Sequence, residues 1–159
     1  VDSGEVVARG LSMPHSPRVH AGFPGEVWVL NAGTGVLGYI DTSAGDGVFH
    51  EVAFCPGFTR GMTFVGRKAI VGLSATRENR TFAGLPLQEN LRSRDAEPRC
   101  AIHVVDMDTG TTDHWLRIEG VVHELYDVVA LHGVMRPKLV GFKTDEIHRV
   151  LRVDDAGMR

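Results

Sequence analysis

"AIHVVDMDTGTTDHWLRI", residues 101–118, decides how this chain is read. A run rich in β-branched residues ends on Asp106, a short turn runs from there to Gly110, and a second strand-like run, "TDHWLRI", follows at 112–118. Asp can bond the backbone of its own turn and Gly accepts positive φ, so the stretch predicts two antiparallel strands joined by an Asp-to-Gly turn. The same grammar occurs twice more. "VLGYID" ends at Asp41 and runs through "DTSAG" toward "VFHEVAF" at 48–54, and "HRVLRVD" ends at Asp154 and runs into "DDAG".

Working outward, each such pair is preceded by two more apolar runs. "PHSPRVHAG" closes at Gly22, "FTRGMTFVG" at Gly66 and "LYDVVALHG" at Gly133. After them come "EVWVL" (26–30), "KAIVGL" (68–73) and "PKLVGF" (137–142). These second runs are continuously apolar, as strands covered on both faces are. The unit is therefore strand, strand, strand, Asp-turn-Gly, strand. That is one four-stranded antiparallel blade of a β-propeller, with a β-sandwich of short strands as the alternative. Gly22 to Gly66 spans 44 residues and Gly66 to Gly133 spans 67, an excess of 23. An insertion at 75–99, between the second and third strands of the second blade, accounts for it. Within it "LPLQENLRSR" (85–94) carries Leu85, Leu87 and Leu91 and predicts a short helix after Pro86.

The fold class expected is all-β and β-propeller-like: about three four-stranded antiparallel blades, forming a partial ring or part of a larger propeller. Residues 1–159 are read as one such domain or fragment. "GEVVAR" (4–9) is a candidate outer strand. A ring usually needs at least about four blades, and open sheet flanks pair unless covered. Self-association or a longer parent chain is therefore expected to close it.

Composition narrows the function classes. Hydrophobic residues at 43% and charged residues at 23% are those of an ordinary globular domain. A net charge of -3 gives no electrostatic reason to expect nucleic acid or an anionic membrane. No apolar run approaches the roughly 20 residues of a membrane helix, and no signal peptide is recognised at the start. The two cysteines, Cys55 and Cys100, are too few for a disulfide scaffold and are read as reduced, which points to the cytoplasm. No cofactor fingerprint, metal-ligand spacing or nucleophile elbow is present. His15 and His20 sit on opposite faces of one strand unless Pro17 bends it, and Asp106 and Asp108 are read as turn formers rather than ligands. Neither a metal nor a cofactor is expected, and catalytic residues cannot be assigned.

The polar residues that the repeat brings together suggest binding. Aligned on their closing glycines, His15, Thr59 and Tyr126 share one position, and Ser16, Arg60 and Asp127 the next. Arg18 and Glu124 lie close by. The connections between second and third strands emerge at the same end of a blade as the residues leading into its first strand. They add Asn31, then Arg77, Asn79 and Arg80 from the insertion, then Lys143. Convergent donors and acceptors at a channel mouth are the usual form of a small-molecule site. The expected site is His15, Arg18, Asn31, Arg60, Arg77, Asn79, Arg80, Tyr126, Asp127 and Lys143, binding a small polar or anionic ligand. The alternative is a non-catalytic protein-interaction scaffold that grips a partner with the insertion.

The strings "MPHSPR", "WVLNAGTGVLG", "PGFTRG", "VGLSATRENRTFAGLPL", "AEPRC", "LRIEGV", "ELYDV" and "GFKTDEI" carry a resemblance. Spread over about residues 10–150, they resemble a bacterial family, domain of unknown function 4915, whose members have propeller-like repeats and are roughly twice this length. The resemblance implies the fold and a longer parent chain; it implies no activity.

Overall fold

A computed structural model describes residues 4–75, 84–137, 143 and 145 of the chain. Eight strands and one helix follow in order: β1 (Pro14–Val19), β2 (Glu26–Asn31), β3 (Val36–Asp41), β4 (Phe49–Phe54), β5 (Phe58–Val65), β6 (Lys68–Ser74), α1 (Pro86–Ser93), β7 (Ala101–Asp106) and β8 (Thr112–Arg117). They make two four-stranded antiparallel sheets in simple sequence order, β1-β2-β3-β4 and β5-β6-β7-β8. All eight strands expected from 14 to 118 are present within a few residues of their expected limits. The expected helix is there too.

The Asp-to-Gly turns are built as their chemistry requires. Asp41 Oδ1 accepts from the Ser43 and Ala44 amides, and Asp106 Oδ1 accepts from the Asp108 and Thr109 amides at 3.0 and 2.8 Å. These bonds satisfy turn donors that no strand neighbour can reach. They also hold both carboxyls below the usual carboxylate range, with the Ser43 hydroxyl the main partner at Asp41 and the Lys68 ammonium at Asp106.

The core lies between the two sheets. Trp28, Leu30 and Leu37 of the first meet Met62, Val71, Leu73, Ala101 and Val105 of the second, with Cys55 and Met107 closing the ends. β2 and β6 have no exposed residue and are mostly buried, which explains their unbroken apolar runs. Each first strand carries a β-bulge at the same place. β1 shifts register between His15 and Arg18, and β5 between Thr59 and Met62. An extra residue of this kind bends the strand and re-aims its side chains. In β5 it falls on Arg60 and Gly61.

Beyond β8 the structure departs from expectation. Residues 118–137 form no strand, although "LYDVVALHG" reads as one, and residues 4–13 form no strand before β1. The remaining strands expected of a third sheet, 137–142 and 148–154, fall almost wholly outside the described residues. Residues 123–128 nevertheless lie along the outer face of the second sheet. The Ala75 amide donates to the His123 carbonyl at 2.9 Å, and Ser74 Oγ accepts from the Leu125 amide at 2.9 Å. The approach is close enough to require glycine. A Cβ on Gly61 would lie 2.5 Å from Asp127 Cα, and one on Gly72 would lie 2.8 Å from a Val128 methyl. Local sequence could not foretell this: the run pairs through a few bonds at one end rather than through a strand ladder.

The insertion is a clasp. Its helix starts on Pro86 and buries Leu87 and Leu91, one turn apart, against Ala32 and Phe58. The Leu87 amide donates to the Gly33 carbonyl at 2.8 Å, and Asn90 Nδ2 donates to the Thr34 carbonyl at 2.9 Å. Arg94 lies 4.6 Å over the Phe54 ring. The helix thus leaves the second sheet and docks on the β2–β3 turn of the first. Burying Leu87 contributes roughly 1.5–3 kcal/mol.

Candidate functional site

The strand order gives the two sheets a common polarity. One edge carries the starts of β1 and β5, the β2–β3 turn and the connection holding α1. The opposite edge carries the residues 20–25, 42–48, 66–67 and 107–111. The residues singled out from the sequence belong mainly to the first edge.

His15, Arg60 and Tyr126 come together there. His15 lies edge-on to Phe58, with ring centroids 5.7 Å apart. Burial in that contact, and secondarily the Arg60 charge, push its pKa below 6.5. The Arg60 guanidinium lies 4.6 Å over the Tyr126 ring, and Tyr126 is itself exposed. Neither an ion pair nor a hydrogen bond occupies the Arg60 guanidinium among the described residues. The β5 bulge is what delivers Arg60 to this place, since it falls on that residue.

The other expected members divide. Asn31 is 6% exposed and its Oδ1 accepts from the Ser12 amide at 2.7 Å, which anchors the lead into β1. That bond and its burial tie the Asn31 side chain into the fold. Arg18 is exposed and donates to the carbonyl of its neighbour Pro17. Asp127 Oδ1 accepts from the Val128 amide at 2.8 Å, so it caps its own backbone rather than pairing with Arg60. Lys143 is exposed. Arg77, Asn79 and Arg80 lie outside the described residues.

The remaining motifs settle into structure. His20 is at the far end of β1 from His15, accepting from the Gly22 amide through Nδ1 and donating through Nε2 to the Gly66 carbonyl at 2.8 Å. Cys55 and Cys100 are free thiols, both buried, and burial pushes the Cys55 thiol up to about 12. No group of three or more His, Cys, Asp or Glu that could hold a metal exists among the described residues. No helix there is long and apolar enough to cross a membrane.

Sequence reasoning missed the opposite edge. A cavity of about 470 Å³ opens there between the sheets, lined by Glu26, Trp28, Tyr39, His50, Glu51 and the β7–β8 turn among others. The signal that could have found it is the set of aromatic and acidic residues at the outer ends of β2, β3 and β4. Strand alternation alone does not tell which of them share a seam.

With that geometry in hand, comparison with known proteins adds one finding. The family model described as a domain of unknown function (DUF4915) matches residues 1–140. No curated protein and no solved structure matches.

Proposed function

The chain belongs to the DUF4915 family, whose description names no activity, and from that premise we propose a β-propeller-type binding module that takes a small anion at the rim formed by His15, Arg60 and Tyr126. Three features support the propeller half of this reading. The two sheets are four-stranded meanders of the same order, their first strands are bulged at the same place, and residues 123–128 follow on the outer face of the second sheet where a third first strand would run. Its three blades are completed into a ring by a longer parent chain or by self-association, in the cytoplasm.

The observation that carries the ligand reading is the Arg60 guanidinium. It is held over the Tyr126 ring by cation–π attraction, its N–H donors have no protein acceptor among the described residues, and a half-buried imidazole stands beside it. A planar guanidinium with unspent donors suits a carboxylate or phosphate. His15 in its neutral form supplies a further donor. Isothermal titration with inorganic phosphate and with succinate tests this, with the His15 imidazole followed by NMR. Saturable binding that Arg60→Ala abolishes and Arg60→Lys weakens is expected. Equal binding by wild type and Arg60→Ala sinks the proposal.

A second reading, a non-catalytic interaction scaffold, is favoured by the exposed apolar residues Trp115, Leu116, Val129 and Met135. Light scattering decides it: a surface of that kind produces assembly that Trp115→Glu and Val129→Glu disrupt without touching anion binding.

A further inference from the structure

Two residues in the wall of the cavity at the opposite edge each carry a buried polar atom with no partner among the described residues. Glu26 Oε2 and Trp28 Nε1 are both enclosed and both unbonded among the described residues, and both residues line the same cavity. Trp28 is 1% exposed. A buried donor or acceptor left unmade costs about 1–3 kcal/mol, and here one of each sits on neighbouring residues of the same cavity wall. One is an indole N–H, which asks for an acceptor. The other is a carboxylate oxygen, which asks for a donor.

The surroundings define what answers them. A continuous wall of rings runs along one side: His50 stacks on Tyr39 at 4.9 Å, Tyr39 meets Trp28 at 5.3 Å, and Trp28 meets Phe23 at 5.2 Å. On the other side the β7–β8 turn is pressed against β4, where a Cβ on Gly110 would fall 2.2 Å from the Val52 carbonyl oxygen. The cavity is therefore a built seam between two sheets. Its charge is negative. Glu26 and Glu51 form no ion pair among the described residues, while Asp108 is already bound by Arg67. Arg67 senses Glu26 electrostatically but spends its own donors on Asp108 and the Gly22 carbonyl. Attraction between a carboxylate and a cation is strengthened beside apolar rings, where the local dielectric is low.

We infer that this cavity is a second binding site, for a protonated amine that also carries hydroxyl groups, as an amino sugar or amino alcohol does. The ammonium N–H groups satisfy Glu26 and Glu51. A hydroxyl oxygen accepts from Trp28 Nε1. The carbon skeleton lies against the ring wall. This site lies on the opposite edge from Arg60 and takes the opposite charge, so it stands or falls independently of the anion site.

The test uses the whole chain carrying Trp115→Phe. Trp115 is exposed and outside the cavity, and its replacement leaves Trp28 as the only indole. Trp28 fluorescence is titrated with glucosamine, with glucose, and with cyclohexylamine, at a pH where both amines are protonated. Saturable change with glucosamine, weaker change with cyclohexylamine and none with glucose are expected. Glu26→Gln is isosteric and should weaken glucosamine roughly tenfold or more, the scale of one charge-assisted hydrogen bond. If Glu26→Gln does not fold, the exposed Glu51→Gln decides by the same loss in smaller measure. Glucose binding as well as glucosamine, no saturation by either amine, or a carboxamide variant that binds unchanged each overturns the inference.

Discussion

Replacing Gly61 by Ala isolates the packing of residues 123–128 on the second sheet. Gly61 has φ of +79° and a Cβ there would lie 2.5 Å from both Asp127 Cα and Val128 N. Two costs add. A side chain in the left-handed region costs roughly 1–2 kcal/mol. Carbon atoms prefer separations of about 3.5–4.0 Å, so the backbone of 127–128 must retreat by about 1 Å, and overpacking of that size costs about 1–3 kcal/mol. Gly66 supplies the control. Its φ is +56°, but no heavy atom lies within 4 Å of its Cβ position, so Gly66→Ala bears the conformational cost alone. The two variants should therefore differ by about 1–3 kcal/mol in urea unfolding, which at a typical slope moves the midpoint by about 1 M. Hydrogen exchange localises the effect. The Ala75 amide, bonded to the His123 carbonyl, should lose protection in Gly61→Ala and keep it in Gly66→Ala. Equal midpoints, or an Ala75 amide that stays protected in both, would refute the idea that 123–128 is seated on β5 and β6.

Three further outcomes are expected. Leu87→Ala removes a side chain that is 1% exposed and should cost about 2–5 kcal/mol, read in the same urea experiment, with exchange at the Leu91 amide confirming that α1 has come off the β2–β3 turn. His15 and His103 both have pKa values lowered from 6.5, mainly by burial and then by Arg60 and Arg99 respectively; the unfolded chain therefore takes up their protons first, so stability is full above 6.5 and falls on acidification below it. NMR titration should place both midpoints under 6.5, and Arg60→Ala should raise the His15 midpoint while leaving His103 in place. Cys55 and Cys100 are buried with raised thiol pKa values, so iodoacetamide should label neither in the native chain at mildly alkaline pH and both once urea is added; rapid native labelling of Cys55 would contradict its enclosure.

What was legible in the sequence was local. The Asp-to-Gly turns fixed where β3 and β7 end, because Asp41 and Asp106 bond amides only two and three residues away. The unbroken apolar runs of β2 and β6 announced strands buried on both faces. The Leu87–Leu91 spacing after a proline announced a helix with one buried side. What escaped depended on contacts far along the chain. The run "LYDVVALHG" has strand composition, yet 123–128 meets the second sheet without a ladder. Asn31 reads as a polar loop residue, but the Ser12 amide, 19 positions away, claims its side chain. The ring wall joins Phe23, Trp28, Tyr39 and His50, and no spacing rule relates residues from a turn and three different strands. The nearness of His15, Arg60 and Tyr126 was legible because aligning the closing glycines compares equivalent places in successive units. Asp127, chosen by the same alignment, and Arg18, chosen for lying close by, bond backbone groups beside them instead, a local contact that the alignment does not register.

The clasp formed by α1 has a consequence for how the chain acquires its shape. In the first sheet every pairing closes a short loop and forms early, whereas in the second β6 reaches β7 only across the connection that carries α1. The bond from Asn90 to Thr34 spans 56 residues and joins one sheet to a helix that the chain issues from the other. Closing so large a loop gains nothing until both sheets exist. The helix therefore acts as a late latch, and neither sheet reaches its final partner surface by folding alone. Synthesis from the amino terminus would leave the exposed ends of β2 and β3 waiting for a cover that emerges about fifty residues later.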